Sequence, residues 1–290
     1  MPSGLLNVLK PAGLTSRDVV NRVQRMARPA KAGHAGTLDP LATGVLVVCV
    51  GTATRLVEYV QRLPKRYLGE FLLGRRSPTD DTDGDVAELP DPPVPDRAAL
   101  ASAAARLVGR IMQRPPAFSA LKVGGRRAYD LARRGLPVEL APREVVVYRL
   151  EIVAYDYPRL VLDIECSGGT YVRALGRDLA ESLKTAAVMS ALERMAIGHF
   201  RAAEAVALDR LDAATWRSHL QPLRRAVAVL PQIEISAAEA ARLRNGQAIR
   251  AAADWPAADE MAACCNGDLA AIVAPRGPGL LAPKLVLPAE

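Results

Sequence analysis

The sequence has few of the residues that build metal sites, disulfide frameworks and membrane spans. Its four cysteines include no C-x-x-C pair, and only three histidines occur in 290 residues. The number and spacing of these cysteines and histidines support neither a zinc site nor a set of disulfides. The longest apolar run covers residues 45–50, whereas a membrane-spanning helix needs roughly 20 residues, and the first residues lack the layout of a signal peptide. We therefore expect a cytoplasmic protein with no metal, no cofactor and no membrane contact.

Aromatic side chains are also scarce, at 4% of the chain. A continuous stacking groove for single-stranded nucleic acid needs many more of them, although one tyrosine is enough to hold one base. Hydrophobic residues, in contrast, make up 50% of the sequence, which is ample for a buried core. Disorder as the main state of the chain is thereby excluded.

The positive charge is concentrated in two places. The net charge is +7, and residues 1–66 alone hold ten lysines or arginines against three acidic residues. A second basic cluster covers residues 122–134, with five cations and one aspartate. Its cations are Lys122, Arg126, Arg127, Arg133 and Arg134. Such stripes suit a polyanion, and nucleic acid is the first candidate, the alternative being a basic face that contacts only solvent.

Residues 77–96 form a segment with seven acidic residues, five prolines and no cation. This composition predicts a surface loop. Three aspartates within it imitate the start of a calcium-binding loop. A calcium site is excluded because Val86 stands at the position that requires glycine and Pro92 at the position of the bidentate glutamate.

Hydrophobic patterns predict a mixture of helices and strands. A helix begins after Thr15, which with Asp18 matches the capping-box pattern. The apolar runs at 45–50 and 67–73 predict strands that are buried on both faces. Further predicted elements are helices at 96–109 and 172–183 and alternating strands at 145–156 and 159–169. The order is not a regular βαβ alternation, so we expect an α+β fold, with a small β domain of about sixty residues at the end of the chain.

One aspartate stands between glycines and a buried strand. In GHAGTLDPLATGVLVV, residues 33–48, Asp39 follows a basic segment and precedes the apolar run. Such a rigidly placed carboxylate suits a nucleophile or a base, whereas the structural alternative is a turn started by Asp-Pro. The sequence has no G-x-S-x-G, H-E-x-x-H, P-loop or dinucleotide motif, and no evident second carboxylate. What remains is a single carboxylate acting on nucleic acid without a metal or cofactor.

A series of sequence blocks resembles one known family. The blocks are LKPAGLTSRDVVNRV, GHAGTLDPLATGVLVVCVGTATRL, KRYLGEFLLG, PPAFSALKVGGRRAYDLARRG, CSGGTYVRALGRDL and the weaker LERMAIGHF. In this order, and over nearly its whole length, the chain resembles the TruB family of tRNA pseudouridine synthases. This family isomerises one uridine, at position 55 in the T arm of tRNA, by breaking the N-glycosidic bond and rejoining the base through C5.

The resemblance implies a pseudouridine synthase fold of the α+β class, with a mixed, largely antiparallel central sheet flanked by helices. It implies a catalytic domain over residues 1–228 and a small PUA-like RNA-binding β domain over residues 229–290. Within the catalytic domain, an insertion at about 117–147 is expected to grip the RNA arm. The Gly-Gly pair in KVGGRRAY indicates a hairpin there, and phosphate contacts from it would position the RNA without reading its sequence.

The resemblance also assigns the central chemistry. Asp39 matches the catalytic aspartate, and Arg173 matches the arginine that pairs with it. Burial raises the pKa of a carboxyl group and a nearby guanidinium lowers it, and the resemblance predicts an ionised carboxylate. The sequence leaves open whether Asp39 attacks the uracil base or removes a proton from the ribose.

Other residues match positions around the target uridine. Tyr67 is expected to stack on the base, Tyr171 and Leu192 to line its pocket, His34 to pack against displaced nucleotides, and Lys10 to lie near the site. Considered as single residues, they have plainer alternatives. Tyr67 and Leu192 would be ordinary strand core, His34 a neutral buried imidazole, and Tyr171 part of an exposed first helical turn.

Two other functions fit the same residues. An RNA chaperone would bind and flip its tRNA without depending on catalysis, and an RNA-guided synthase would work inside a larger particle. The basic insertion argues for a protein that works alone. We therefore expect tRNA, bound through its T-arm stem-loop, as the partner, no required protein partner, and a monomer.

Overall fold

Helices and strands follow one another irregularly along the chain. The computed structural model describes residues 2–119, 121–123, 125–137 and 140–288. The α-helices are α1 (Ser16–Ala27), α2 (Val57–Arg62), α3 (Arg97–Arg106), α4 (Ala128–Ala132), α5 (Val172–Ser182) and α6 (Ala237–Arg244). Short 3₁₀ helices lie at Gly51–Leu56, Ala202–Glu204, Leu208–Arg210, Trp216–His219 and Leu223–Val227.

The strands belong to two larger sheets and two small hairpins. They are β1 (Gly4–Lys10), β2 (Ala32–His34), β3 (Thr43–Val50), β4 (Lys65–Leu73), β5 (Arg75–Arg76), β6 (Ala87–Glu88), β7 (Gly109–Gln113), β8 (Lys122–Val123), β9 (Arg126–Arg127), β10 (Arg143–Asp156), β11 (Arg159–Cys166), β12 (Ala187–Ile197), β13 (Phe200–Arg201), β14 (Val206–Ala207), β15 (Gln232–Glu234), β16 (Ile249–Arg250), β17 (Met261–Cys265), β18 (Asp268–Pro275) and β19 (Leu280–Val286).

A ten-stranded mixed sheet forms the centre of the molecule. Its order is β14-β1-β3-β12-β4-β11-β10-β7, with β2 added to β3 and β13 added to β12. The β1–β14 and β3–β12 pairs are parallel, whereas the other pairs along this order are antiparallel. The predicted α+β fold with a largely antiparallel central sheet is therefore confirmed. None of the described helices combines the length and apolar character needed to cross a bilayer.

Helix α1 begins where its sequence predicts. The Thr15 hydroxyl accepts a hydrogen bond from the Asp18 amide at 3.1 Å, and the Asp18 carboxylate accepts one from the Thr15 amide at 2.9 Å. This reciprocal pair satisfies two amide groups that a helix start otherwise leaves unbonded. The buried side of α1 carries Val19, Val20 and Val23, which pack against β3.

Strand β3 is buried on both faces, as predicted. Its side chains alternate between two separate hydrophobic cores, with Val45, Val47 and Cys49 in one and Leu46 and Val48 in the other. The same prediction is wrong for β4. Buried and more exposed residues alternate along β4, because only one face of this part of the sheet is covered.

The insertion leaves the central sheet between β7 and β10. Since β10 begins at Arg143, the segment outside the sheet covers residues 114–142, and the predicted range of 117–147 overlaps the first five residues of the strand. Strands β8 and β9 form the hairpin that the Gly-Gly pair predicts. Helix α4 follows directly.

The last part of the chain forms its own five-stranded sheet, in the order β15-β17-β18-β19-β16. One face encloses a small core that includes Leu243 and Val273, and the other face adds Ala262, Cys264 and Ile272 to a core shared with β3. Strand β15 begins just after the predicted domain boundary at 228/229. The second sheet fits the small β domain expected there.

Candidate active site

A cleft of about 1020 Å³ opens where the loop after β2, the strands β4 and β12, and the first turn of α5 meet. The structure brings together in its wall five of the residues that were predicted around the target uridine. They are Asp39, Tyr67, Tyr171, Arg173 and Leu192. These residues come from distant parts of the sequence, so only the packing of the sheet and α5 unites them.

Asp39 and Arg173 form a two-point ion pair. Arg173 Nε lies 3.0 Å from Asp39 Oδ2, and an Arg173 Nη atom donates to Asp39 Oδ1 at 3.3 Å. The side chain of Asp39 is 33% exposed, whereas that of Arg173 is 7% exposed. The arginine is thus fixed inside the protein while the carboxylate still faces the cleft, an orientation that suits reaction with a bound molecule.

Arg173 is held on its other side by the acidic segment. Its guanidinium lies 3.1 Å from Asp81 Oδ2, and it donates to the Thr79 carbonyl at 2.6 Å and to the Phe118 carbonyl at 3.1 Å. Asp81 is almost fully buried, at 3% exposure. The prediction of a surface loop is therefore wrong at this point, because the buried guanidinium draws part of the acidic segment into the site.

The charges around Asp39 act in opposite directions on its proton affinity. Burial raises the pKa of Asp39 above its ordinary value. The Arg173 guanidinium opposes that shift, and the nearby carboxylates of Asp81 and Asp83 add to it. The predicted pairing with Arg173 is present, and it favours the ionised form against the effect of burial.

Tyr67 and Leu192 provide apolar surface beside the carboxylate. Tyr67 is 7% exposed and Leu192 is 6% exposed, and both line the cleft. They lie on the antiparallel neighbours β4 and β12, where Tyr67 is opposite Arg194 and Leu192 is opposite Gly69. Burial raises the pKa of the Tyr67 phenol, whereas the Arg194 guanidinium opposes this shift.

Lys10 and His34 are not among the described residues that line the cleft. Lys10 is fully buried, and its ammonium group donates to the carbonyls of Pro11, Leu14 and Pro40 at 2.9, 2.6 and 3.2 Å. Burial lowers its pKa to about 8. Lys10 therefore holds the backbone next to Asp39 instead of facing a substrate.

His34 is half-buried at the end of β2. Burial lowers its pKa, and the positive charge of Arg17 lowers it further, so the imidazole is favoured in its neutral form. Its Nδ1 atom is buried and has no hydrogen-bond partner among the described residues. A buried nitrogen without a partner remains free to bond a group that enters from outside.

Arg194 is a site residue that the sequence reasoning missed. It is 1% exposed and donates to the carbonyls of Val45, Gly36 and Thr37 at 2.7, 3.1 and 3.4 Å. Two of these carbonyls belong to the loop that leads to Asp39. The available signal was an arginine inside the otherwise alternating strand SALERMAI, since a charged residue at an inward position needs polar partners.

The basic cluster of the insertion is partly described. Arg126, Arg133 and Arg134 are exposed, and Arg133 lines the cleft together with Tyr129, above whose ring it lies at 5.6 Å. The backbones of Lys122 and Arg127 pair with each other in the hairpin, and their side chains lie outside the described part of the chain. The structure therefore brings at least one predicted cation to the rim of the cleft.

Metal-ligand clusters are not part of this arrangement. Within the described ranges, no three His, Cys, Asp or Glu side chains gather in a way that could hold a metal ion. The cleft presents the partly exposed Asp39 carboxylate and the guanidinium that holds it beside apolar and aromatic side chains, and Glu58, Asp81 and Asp83 also line it.

Comparison with solved structures identifies the fold. The chain superposes on a Cbf5-Nop10-Gar1 complex with a TM-score of 0.73 and 25% identity, over 98% of this chain and 85% of that chain. An H/ACA RNP bound to a substrate RNA containing 2'-deoxyuridine gives a TM-score of 0.72 at 23% identity, with the same coverage. The chain therefore shares its fold with these two solved structures.

The family follows from the sequence comparisons. Residues 24–172 match the model of the TruB family pseudouridylate synthase N-terminal domain. Similar proteins include tRNA pseudouridine synthase B of Lactobacillus delbrueckii subsp. bulgaricus, 39% identical over 99% of both chains, and that of an Arthrobacter species, 41% identical over 99% of this chain and 97% of its own. The chain belongs to the TruB family of pseudouridine synthases.

Proposed function

We propose that this protein converts uridine 55 in the T arm of tRNA to pseudouridine and that Asp39 is its catalytic carboxylate. The observation that carries the proposal is the Asp39 side chain, which faces the cleft while the buried Arg173 holds it at 3.0 Å. Its family relatives that carry the name tRNA pseudouridine synthase B support tRNA as the substrate.

The reaction rearranges bonds without adding atoms. The bond between uracil N1 and ribose C1′ breaks, a bond between C5 and C1′ forms, the proton on C5 leaves, and N1 ends with a proton. Asp39 starts this sequence from its ionised form, either on the base or on the ribose. Tyr67, Tyr171 and Leu192 hold the detached ring so that it turns within the cleft without being lost.

The substrate uridine must leave the stack of its RNA loop to reach Asp39. Flipping a base costs a few kcal/mol, and binding energy from remote contacts offsets that cost. We assign these contacts to the basic insertion, whose Arg133 already lies at the cleft. We also propose that residues 229–290 act as a PUA-like RNA-binding domain attached to the catalytic domain at 1–228.

We propose that the enzyme acts as a cytoplasmic monomer without protein partners. Solved structures of the same fold include Cbf5 with Nop10 and Gar1. The sequence relatives at about 40% identity carry the name of a tRNA enzyme, and this chain has a basic insertion of its own. Activity of the purified chain on a bare RNA, with a molecular mass of one chain in solution, is the expected result.

The experiment uses a T-arm stem-loop RNA and mass spectrometry after pseudouridine-specific derivatisation. Wild-type protein is expected to modify the target uridine, whereas Asp39→Asn is expected to bind the RNA and leave it unmodified. Asp85→Asn is the matched control, because it removes the same charge from an exposed position outside the cleft lining. Activity of the Asp39→Asn variant would reject Asp39 as the catalytic carboxylate. A wild-type protein that binds the RNA tightly but does not modify it would favour the alternative function of an RNA chaperone.

A further inference from the structure

The root of the insertion is a pair of residues that face each other across two strands. Gln113 is the last residue of β7, Arg143 is the first residue of β10, and the two are direct partners in the antiparallel register. The chain leaves the sheet after Gln113 and returns to it at Arg143. The covalent connection of the insertion to the central sheet therefore runs through this pair, although Arg173 and Arg177 of α5 also donate to the Phe118 and Arg114 carbonyls of the insertion.

Gln113 holds the backbone of Tyr171. Its side chain is fully buried, its Nε2 donates to the Tyr171 carbonyl at 3.0 Å, and its Oε1 accepts from the Tyr171 amide at 2.8 Å. One primary amide thus bonds both main-chain polar groups of one residue, as a neighbouring strand would. Tyr171 stands directly before α5, so this clamp fixes where the helix begins and where the tyrosine ring enters the cleft.

Arg143 holds the ring of the same tyrosine. Its guanidinium carbon lies 4.7 Å from the centre of the Tyr171 ring, and an Nη atom donates to the Gly169 carbonyl. A guanidinium stacked on an aromatic face attracts it and limits its rotation. Backbone and ring of Tyr171 are therefore held by the two residues at the root of the insertion.

We infer that Gln113 and Arg143 are positioning residues for Tyr171 and that they couple RNA binding by the insertion to the geometry of the uridine pocket. The inference rests on the proposed function, because it needs the insertion to bind RNA and Tyr171 to hold the target base. Contact of the RNA with the insertion fixes the positions of Gln113 and Arg143, and these two residues fix the position of Tyr171. A distant binding contact in this way improves the rate as well as the affinity.

The first test measures single-turnover pseudouridine formation at saturating enzyme, together with the Kd for the stem-loop. Gln113→Met and Arg143→Met are each expected to lower the rate at least about tenfold, because small misplacements of a positioning group cost that much, and to leave the Kd nearly unchanged. Arg110→Met is the matched control. It removes an exposed arginine that pairs with Glu144 across the same two strands. Normal rates in both variants would overturn the inference.

A double-mutant cycle separates positioning from general damage. In a Tyr171→Ala background, Arg143→Met is expected to change the rate less than about twofold, since no ring remains for its guanidinium to hold. Multiplication of the two single effects would contradict the assignment. Circular dichroism and Tm identify a variant that fails to fold. Because Arg143 is only half-buried, Arg143→Met is expected to fold even if Gln113→Met does not.

The coupling is tested with Arg126→Ala. This change is expected to lower the saturated single-turnover rate in the wild-type background and to have no further effect in the Gln113→Met background, where the connection is broken. Equal losses in both backgrounds would reject the coupling. A wild-type protein that leaves the RNA unmodified would reject the proposed function itself, whereas an active wild type with unaffected variants rejects only this inference.

Discussion

Arg173 is the residue that pairs with two of the carboxylates in the cleft, Asp39 and Asp81. It lies between Asp39 at 3.0 Å and Asp81 at 3.1 Å, and it is itself 7% exposed. A buried guanidinium that has lost one of these partners keeps its desolvation cost without the matching attraction. The second carboxylate therefore stabilises the arginine in the orientation that Asp39 needs, although it does not have to touch a substrate.

Asp81→Asn tests this role. The weaker hold on Arg173 is expected to lower the rate at neutral pH about 10- to 100-fold, the loss that a small misplacement causes. The negative charge of Asp81 raises the pKa of Asp39. Its removal lowers that pKa, so the acid limb of the pH–rate profile moves to lower pH. Asp85→Asn changes the charge equally at an exposed position and is expected to leave the rate unchanged. An acid limb at the same pH as in the wild type would contradict the effect of the Asp81 charge on the pKa of Asp39.

At the scale of elements, two strands hold the loop that carries Asp39. Lys10 at the end of β1 bonds the Pro40 carbonyl after Asp39, and Arg194 on β12 bonds the Gly36 and Thr37 carbonyls before it. The loop is thus fixed on both sides of the carboxylate by buried cations. This arrangement explains why a short turn between β2 and β3 can present Asp39 rigidly.

Lys10→Met is expected to destabilise the protein and to slow the reaction. The carbonyls of Pro11, Leu14 and Pro40 lose their common donor; Pro40 keeps its bond from the Gly13 amide, and a part-buried carbonyl left without a partner costs about 1–3 kcal/mol. Urea unfolding measures the free energy, and single-turnover kinetics measure the rate. Lys31→Met, at an exposed lysine of the preceding segment, is the control and is expected to change neither. If Lys10→Met is as stable as the wild type but slower, Lys10 acts on the rate by positioning the loop and not through stability.

Whole-element predictions succeed where local forces decide. The capping box of α1 follows from residues within a few positions of each other, and the unbroken apolar run of β3 indicates a strand that is buried on both faces. β4 differs, because burial of a face depends on what the rest of the chain places over it. Arg194 was missed for the same reason, since its partners lie about 150 positions away along the chain.

At the scale of the whole molecule, the insertion presents exposed cations at one rim of the cleft, with Arg126 and Arg134 facing solvent and Arg133 in the cleft wall. Phosphate contacts release counterions, so each one adds to the salt dependence of RNA binding. This term is independent of sequence and acts before the uridine is flipped.

The double change Arg126→Ala with Arg127→Ala is expected to weaken tRNA binding and to flatten the slope of log K against log[salt] by about 1 to 2. Arg106→Ala with Arg110→Ala removes the same charge from exposed positions on α3 and β7 and serves as the control. Filter binding over a series of salt concentrations measures both slopes. An equal slope in wild type and in the Arg126→Ala, Arg127→Ala variant would show that these two residues do not contact phosphates.

Stability is expected to rise between about pH 8 and 9. Burial lowers the pKa of Lys10 and of Lys65 from 10.5 to about 8, so the unfolded chain binds more protons than the folded chain above pH 8. Burial also raises the pKa of Cys49 to about 12 and of Cys166 to about 11 from 9.0, which has the opposite effect above pH 9. Above pH 9, the gain in stability from the lysines and the loss from the cysteines therefore cancel.

Urea unfolding at pH 7, 8, 9 and 10 measures this rise, which we expect to be about 1–2 kcal/mol followed by a plateau. Lys65→Met is expected to reduce the rise, because one of the two lysines no longer titrates. Lys31→Met, at an exposed lysine, is the control and is expected to show the full rise in the free energy of unfolding. A free energy of unfolding that falls steadily above pH 8 would contradict the assigned lysine shifts.

The sequence by itself determined the local structure, the class of the fold and the family. Capping, alternation and the basic cluster depend on neighbouring residues, and the family blocks already contain Asp39, Tyr67, Tyr171, Arg173 and Leu192. The tertiary structure alone decided what supports them. Asp81 was expected on the surface, and Gln113 and Arg194 had no evident role. Ion pairs and amide bonds between distant residues form only after the sheet and α5 have packed, because neither charge nor pattern states which partner will lie within 3 Å.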